Sequence, residues 1–88
     1  MIYPLQGNLA VNYSGINYDL NNLIQGGIYN FVDTTNAVSN NPGVKYGMVI
    51  VFVAAYNYIV QLAIDDNNMW FRFINPQQQQ YNSWKAIV

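Results

Sequence analysis

The stretch YGMVIVFVAAYNYIVQLAI, residues 46–64, decides the fold: it is nineteen residues without a charge, close to the length of a bilayer-spanning helix. Its interior argues against a span. Tyr56, Asn57, Tyr58 and Gln61 fall within it, and seven of its residues are β-branched, which favours strands over a helix. Two strands around a turn at residues 55–57 fit better. The first, residues 47–54, is apolar on both faces and is expected to be a central strand, with residues 58–65 returning beside it as a core hairpin.

On the C-terminal side, Asp65-Asp66-Asn67-Asn68 is a second turn. It leads into residues 69–74, where Met69, Phe71 and Phe73 face one way and Trp70, Arg72 and Ile74 the other. Residues 75–82 read as a polar loop carrying four consecutive glutamines, and residues 85–88 as an edge or final strand. On the N-terminal side, residues 33–46 read as a long loop with a turn at Asn41-Pro42-Gly43, preceded by a strand at residues 28–32. Before that strand, Asp19 is a suitable N-cap, Leu20 and Leu23 lie on one helical face, and Gly26-Gly27 ends the turn, so a single helical turn is expected. Residues 1–14 have no clear period and are interrupted by Pro4 and Gly7. They read as a short extended arm or first strand.

The expected fold class is mainly β: a small antiparallel β-sheet or sandwich domain with one short N-terminal helical turn. Eighty-eight residues allow one domain, since so short a chain buries only roughly 60–65% of its unfolded surface around a single core. Without cysteine it has no disulfide, and its stability has to come from apolar packing or association. No basic segment leads into an apolar run and a small-residue cleavage site, so no secretory signal is expected.

Composition also narrows function. Histidine, cysteine and glutamate are absent, which removes the commonest general base, the thiol nucleophile and most zinc ligand sets. The expectation is a non-enzymatic protein with neither metal nor cofactor. Three scattered cations, Lys45, Arg72 and Lys85, cannot form the footprint that nucleic acid requires, and membrane insertion is not expected either. In place of charge the chain has fourteen Asn, seven Gln and eight Tyr, a neutral surface rich in groups that both donate and accept hydrogen bonds. Such a surface suits hydroxylated ligands, although Asn in β-turns accounts for much of it.

The order of elements, from Asp19-Leu20-Asn21 and Gly27-Ile28-Tyr29 through Gln61-Leu62-Ala63-Ile64 and an aromatic strand ending near Arg72 to Ser83-Trp84-Lys85, resembles the pyocin-knob domain of phage and tailocin tail fibres. The resemblance covers residues 17–88, leaving residues 1–16 as an N-terminal arm or remnant of a fibre shaft. It implies a small antiparallel β domain at the distal end of a virion tail fibre. There it would be a homotrimer that binds a bacterial surface polysaccharide or other cell-surface receptor, or else a trimerising, fibre-terminating structure without a ligand. Two departures stand out: Tyr81 occupies the place where the family commonly has a first tryptophan, and the loop before it is Gln-rich rather than Gly-rich.

The glycan-contact candidates are Trp70, Arg72, Tyr56, Tyr58 and Tyr81. An exposed aromatic face packs against the C–H face of a sugar ring while polar neighbours bond its hydroxyls. Four of them have a structural alternative: core packing for Trp70, a guanidinium stacked on tryptophan for Arg72, and cross-strand aromatic pairing for Tyr56 and Tyr58. Trp84 is read as a core residue. Asp65 and Asp66 are read as turn formers rather than as a catalytic or calcium-binding pair, because adjacent side chains diverge and the oxygen ladder of a calcium loop is missing.

Overall fold

The computed structural model describes residues 10–13 and 18–87. Among the described residues seven strands form one sheet: β1 (Ala10–Tyr13), β2 (Gly27–Val32), β3 (Tyr46–Val53), β4 (Ile59–Ile64), β5 (Met69–Asn75), β6 (Gln80–Tyr81) and β7 (Lys85–Ala86). The order is β1-β2-β3-β4-β5-β6, and β7 also pairs with β5. Every pairing is antiparallel except that of β1, which runs parallel to β2. The fold is thus mainly β, and of the sheet and the sandwich the described residues form the single sheet. Within the N-terminal arm only Ala10–Tyr13 is described, as β1; residues 1–9 and 14–16 lie outside the described residues.

Alternation along the strands sets the two faces. On the inner face Tyr29, Val49, Ala63 and Trp70 align in one row, and Val51, Gln61 and Arg72 in the next. Loops, rather than a second sheet, cover this face. Leu20 and Leu23 from the N-terminal turn, and Val38 and Val44 from the segment between β2 and β3, are buried against Phe31, Val49 and Ile74.

The N-terminal turn is a 3-10 turn, Leu20–Asn22, capped by Asp19, whose Oδ1 accepts from the Asn21 amide at 2.9 Å. It is tied to the long loop by paired bonds, the Leu20 amide to the Ser39 carbonyl at 3.0 Å and the Ser39 amide to the Tyr18 carbonyl at 2.9 Å.

The loop itself is built on two side chains. Buried Asp33 accepts from the amides of Ala37 (2.7 Å) and Val38 (3.2 Å) and from the Asn41 side chain (2.9 Å). Asn41 in turn accepts from the amides of Gly43 and Val44 and donates to the Val44 carbonyl. Burial alone would raise the Asp33 pKa, but these bonds outweigh it and hold the carboxyl below its ordinary value.

The core hairpin turns through a 3-10 turn at Ala55–Asn57, with Asn57 in the left-handed region at φ 63°. Asp65 closes the next turn, accepting from the amides of Asn67 (2.8 Å) and Asn68 (2.9 Å). The Gln-rich segment is more ordered than its composition suggests: a 3-10 turn, Pro76–Gln78, and a left-handed Gln79 bring Gln80–Tyr81 back along β5 as β6. Tyr46, read as the end of the long loop, begins β3.

Candidate functional site

Three features could carry function: a polar network on the inner face, a neutral hollow at one end of the sheet, and the outer sheet face. The network begins at Gln61, which is fully buried in the middle of β4. Its Nε2 donates to the carbonyls of Leu20 (2.6 Å) and Leu23 (2.9 Å), and its Oε1 accepts from Arg72 Nε at 2.7 Å. The Arg72 guanidinium lies over the Trp84 ring, 4.6 Å from its centroid, and the indole Nε1 donates to the Asn40 carbonyl at 2.7 Å. The Asn40 side chain then donates to Asp19 Oδ1, returning the chain of contacts to the capped turn. Burial pulls the Arg72 pKa down to about 10, against the opposing effects of Asp19 and Tyr81.

The hollow is lined by Tyr58, Phe73, Ile74, Asn75, Gln80 and Asn82 and has a volume of about 30 Å³. That is far below the about 300–1,000 Å³ of pockets for drug-sized ligands, so it is a shallow dent that takes one small polar group, such as a single hydroxyl, rather than a ring or an oligomer. Its lining contains no charged residue. Tyr58 and Phe73 are about half exposed, and the buried Asn75 Oδ1 has no hydrogen-bond partner among the described residues. A second, open basin lies between the β2–β3 loop and the β4–β5 turn, lined by Lys45, Tyr46, Asp65, Asp66 and neighbouring Gly43 and Asn67, and it is charged.

The outer face of β2–β5 is apolar across its width. Ile28, Ile50, Leu62 and Phe71 align in one row; Phe52, Val60 and Phe73 in another; Met48, Ile64 and Met69 in a third, which starts at Asn30. Tyr46 (67%), Phe52 (53%) and Phe73 (48%) are strongly exposed on it.

The four glycan candidates whose side chains are described do not converge on one site. Trp70 is half-buried against the core, beneath the loop at Gly43, where a Cβ would lie 3.7 Å from its Cζ2. Arg72 is buried, and the tryptophan its guanidinium stacks on is Trp84. Tyr81 aligns with Ile74 on the inner side and is close enough to influence Arg72 electrostatically. Tyr58 alone lines the hollow, and the Tyr56 side chain lies outside the described residues. Trp84 packs against the core, as read from the sequence. Sequence reasoning missed Phe73, Asn75, Gln80 and Asn82 as neighbours of Tyr58, because β6 reads as a loop; the pairing of Gln80 with Asn75 brings them together. It also missed Gln61, whose signal was a lone amide at an inward position of an apolar strand.

The solved structure of an N-truncated R2-type pyocin tail fibre matches this chain over 100% of its length, with a TM-score of 0.73 at 16% identity. The fold is pyocin tail-fibre-like. The resemblance read from residues 17–88 therefore holds at the level of the fold, and the chain spans about a third (35%) of that fibre chain. No family model and no curated protein matches the sequence. Among the described residues, no helix is long and apolar enough to cross a membrane, which says nothing about membrane β-barrels.

Proposed function

We propose that this chain is the distal knob of a phage or phage-like tail fibre and binds a host cell-surface glycan, a bacterial surface polysaccharide, with residues 17–88 as the knob and residues 1–16 as its arm. The observation that carries the reading is the hollow at Tyr58. A half-exposed phenol ring stands beside Phe73 and the amides of Asn75, Gln80 and Asn82, with no charge in the lining. Aromatic faces and neutral amides are the groups that bind sugar C–H faces and hydroxyls. A fold shared with a tail fibre supports the setting.

A non-enzymatic role is supported by the occupation of three of the four aspartates. Asp19 caps a turn, Asp33 is buried among loop donors, and Asp65 accepts from its own turn. The chain works in this reading as a homotrimer on the virion. The outer apolar face favours a second reading, a trimerising or fibre-terminating domain without a ligand. Binding of the 88-residue chain to whole bacterial cells, with purified surface polysaccharide as competitor, separates the two: competed binding supports the first, and its absence across a host panel supports the second.

A further inference from the structure

We infer that Asn75 selects the ligand at the hollow: its side-chain amide binds one free hydroxyl of a neutral sugar ring that packs beside Tyr58 and Phe73. The inference rests on the glycan reading and adds to it the group that is read and the residue that reads it. Asn75 ends β5 and stands before the 3-10 turn Pro76–Gln78, where an asparagine side chain ordinarily accepts from a turn amide, yet it makes no such bond. It is only 4% exposed, and its Oδ1 has no hydrogen-bond partner among the described residues. A buried acceptor left unpaired destabilises the fold, so an asparagine that neither caps nor pairs at this position calls for a partner from outside the chain.

The chemistry of the hollow names that partner. Its volume of about 30 Å³ is the room that one water or one hydroxyl takes up. A hydroxyl both donates and accepts, so it satisfies the amide at its oxygen or at its nitrogen end. An ether or ester at the same place lacks the proton and adds bulk the hollow cannot hold. An ion does not fit either, because no charged side chain lines the hollow and a desolvated charge there would have no counterion. Tyr58 and Phe73, both about half exposed, give the C–H groups beside the hydroxyl an aromatic surface to pack on, and Gln80 and Asn82 complete the lining. A site built to bond a hydroxyl rejects the analogue that lacks it, because its buried polar group is then left unpaired.

Asn75→Leu separates a residue that reads a ligand from one that is merely stranded, because leucine keeps the approximate volume and removes the amide. Calorimetric titration of the 88-residue chain and of the variant with purified surface polysaccharide from a bacterium the parent binds tests this, with circular dichroism to follow folding. The expected result is a folded variant whose affinity is weaker by about tenfold or more. Equal affinity would overturn the inference and leave the glycan reading standing, whereas a parent that binds polysaccharide from no bacterium of a host panel would overturn both. Proton–nitrogen NMR of the parent is the second measurement and decides the matter if the variant does not fold. The Asn75 side-chain amide signal is expected to shift as oligosaccharide fragments of the polysaccharide are added, and a signal that stays in place would overturn the inference.

Discussion

Gln61 and Arg72 stand opposite each other on β4 and β5, and the Arg72 Nε donates to the Gln61 Oε1 at 2.7 Å inside the core. This one bond joins two halves of the molecule. Gln61 holds the carbonyls of the N-terminal turn, and Arg72 supports the C-terminal Trp84. A buried arginine is costly unless its donors are engaged, so the amide opposite it is part of what makes its burial tolerable.

Replacing Gln61 by Leu is expected to destabilise the domain by about 2–4 kcal/mol, because the Arg72 Nε and two turn carbonyls lose their partner in a buried site. Adding Arg72→Met should recover part of that loss, since the second substitution removes the stranded charge. Urea unfolding of the two single variants and the double variant checks this, and simple additivity would contradict the coupling.

Gly47→Ala is expected to cost at least the upper end of the ~1–3 kcal/mol typical of overpacking. A Cβ there would run into the Ile64 carbonyl oxygen, a backbone atom of the paired strand that cannot swing aside. Gly26→Ala is the control, since its Cβ would meet only ordinary contacts at 3.6 and 3.7 Å. Thermal midpoints of the two variants should differ accordingly.

Acid should loosen the long loop through Asp33. Its carboxyl is held below the ordinary value of 3.8, so the folded state favours the ionised form. That contribution is fully present above the ordinary value and is lost as pH falls through the lowered one. Asp33→Asn should be less stable than the parent at neutral pH, and the difference should shrink on acidification. Unfolding midpoints measured between neutral pH and the acid limb report both.

Trp84→Phe keeps a ring beneath the guanidinium but removes the indole donor to the Asn40 carbonyl, and should cost about 1 kcal/mol. Trp84→Ala also loses the packing and the stacked ring and should cost about 3 kcal/mol, the lower end for truncating an aromatic because this one is only half-buried. Denaturant unfolding of both variants tests the order.

Local chemistry made much of this fold legible. The alternation over residues 69–74 places Trp70, Arg72 and Ile74 on one face as observed, and Asp19 before Leu20 marks the capped turn. What stayed hidden depends on contacts distant in sequence. Arg72 meets Trp84, and Gln61 meets Leu20 and Leu23, through the fold rather than through neighbouring positions. The order of the long loop comes from Asp33 and Asn41 bonding backbone amides, which composition reads only as turn propensity. The hollow is hidden for a similar reason: β6 is two residues long and has no period of its own.

Glycan recognition at Tyr58 is tested most directly by titrating the parent and Tyr58→Ala with purified surface polysaccharide from a bacterium the parent binds, at low and high salt. Tyr58 is half exposed, so the variant should stay folded. The expected result is affinity nearly independent of salt for the parent and weakened by about 1–3 kcal/mol in the variant, as for a dominant contact on a neutral surface. Equal affinity of the two proteins, or parent binding that collapses with salt, would contradict the neutral hollow as the site and point instead to the charged basin at Lys45, Asp65 and Asp66.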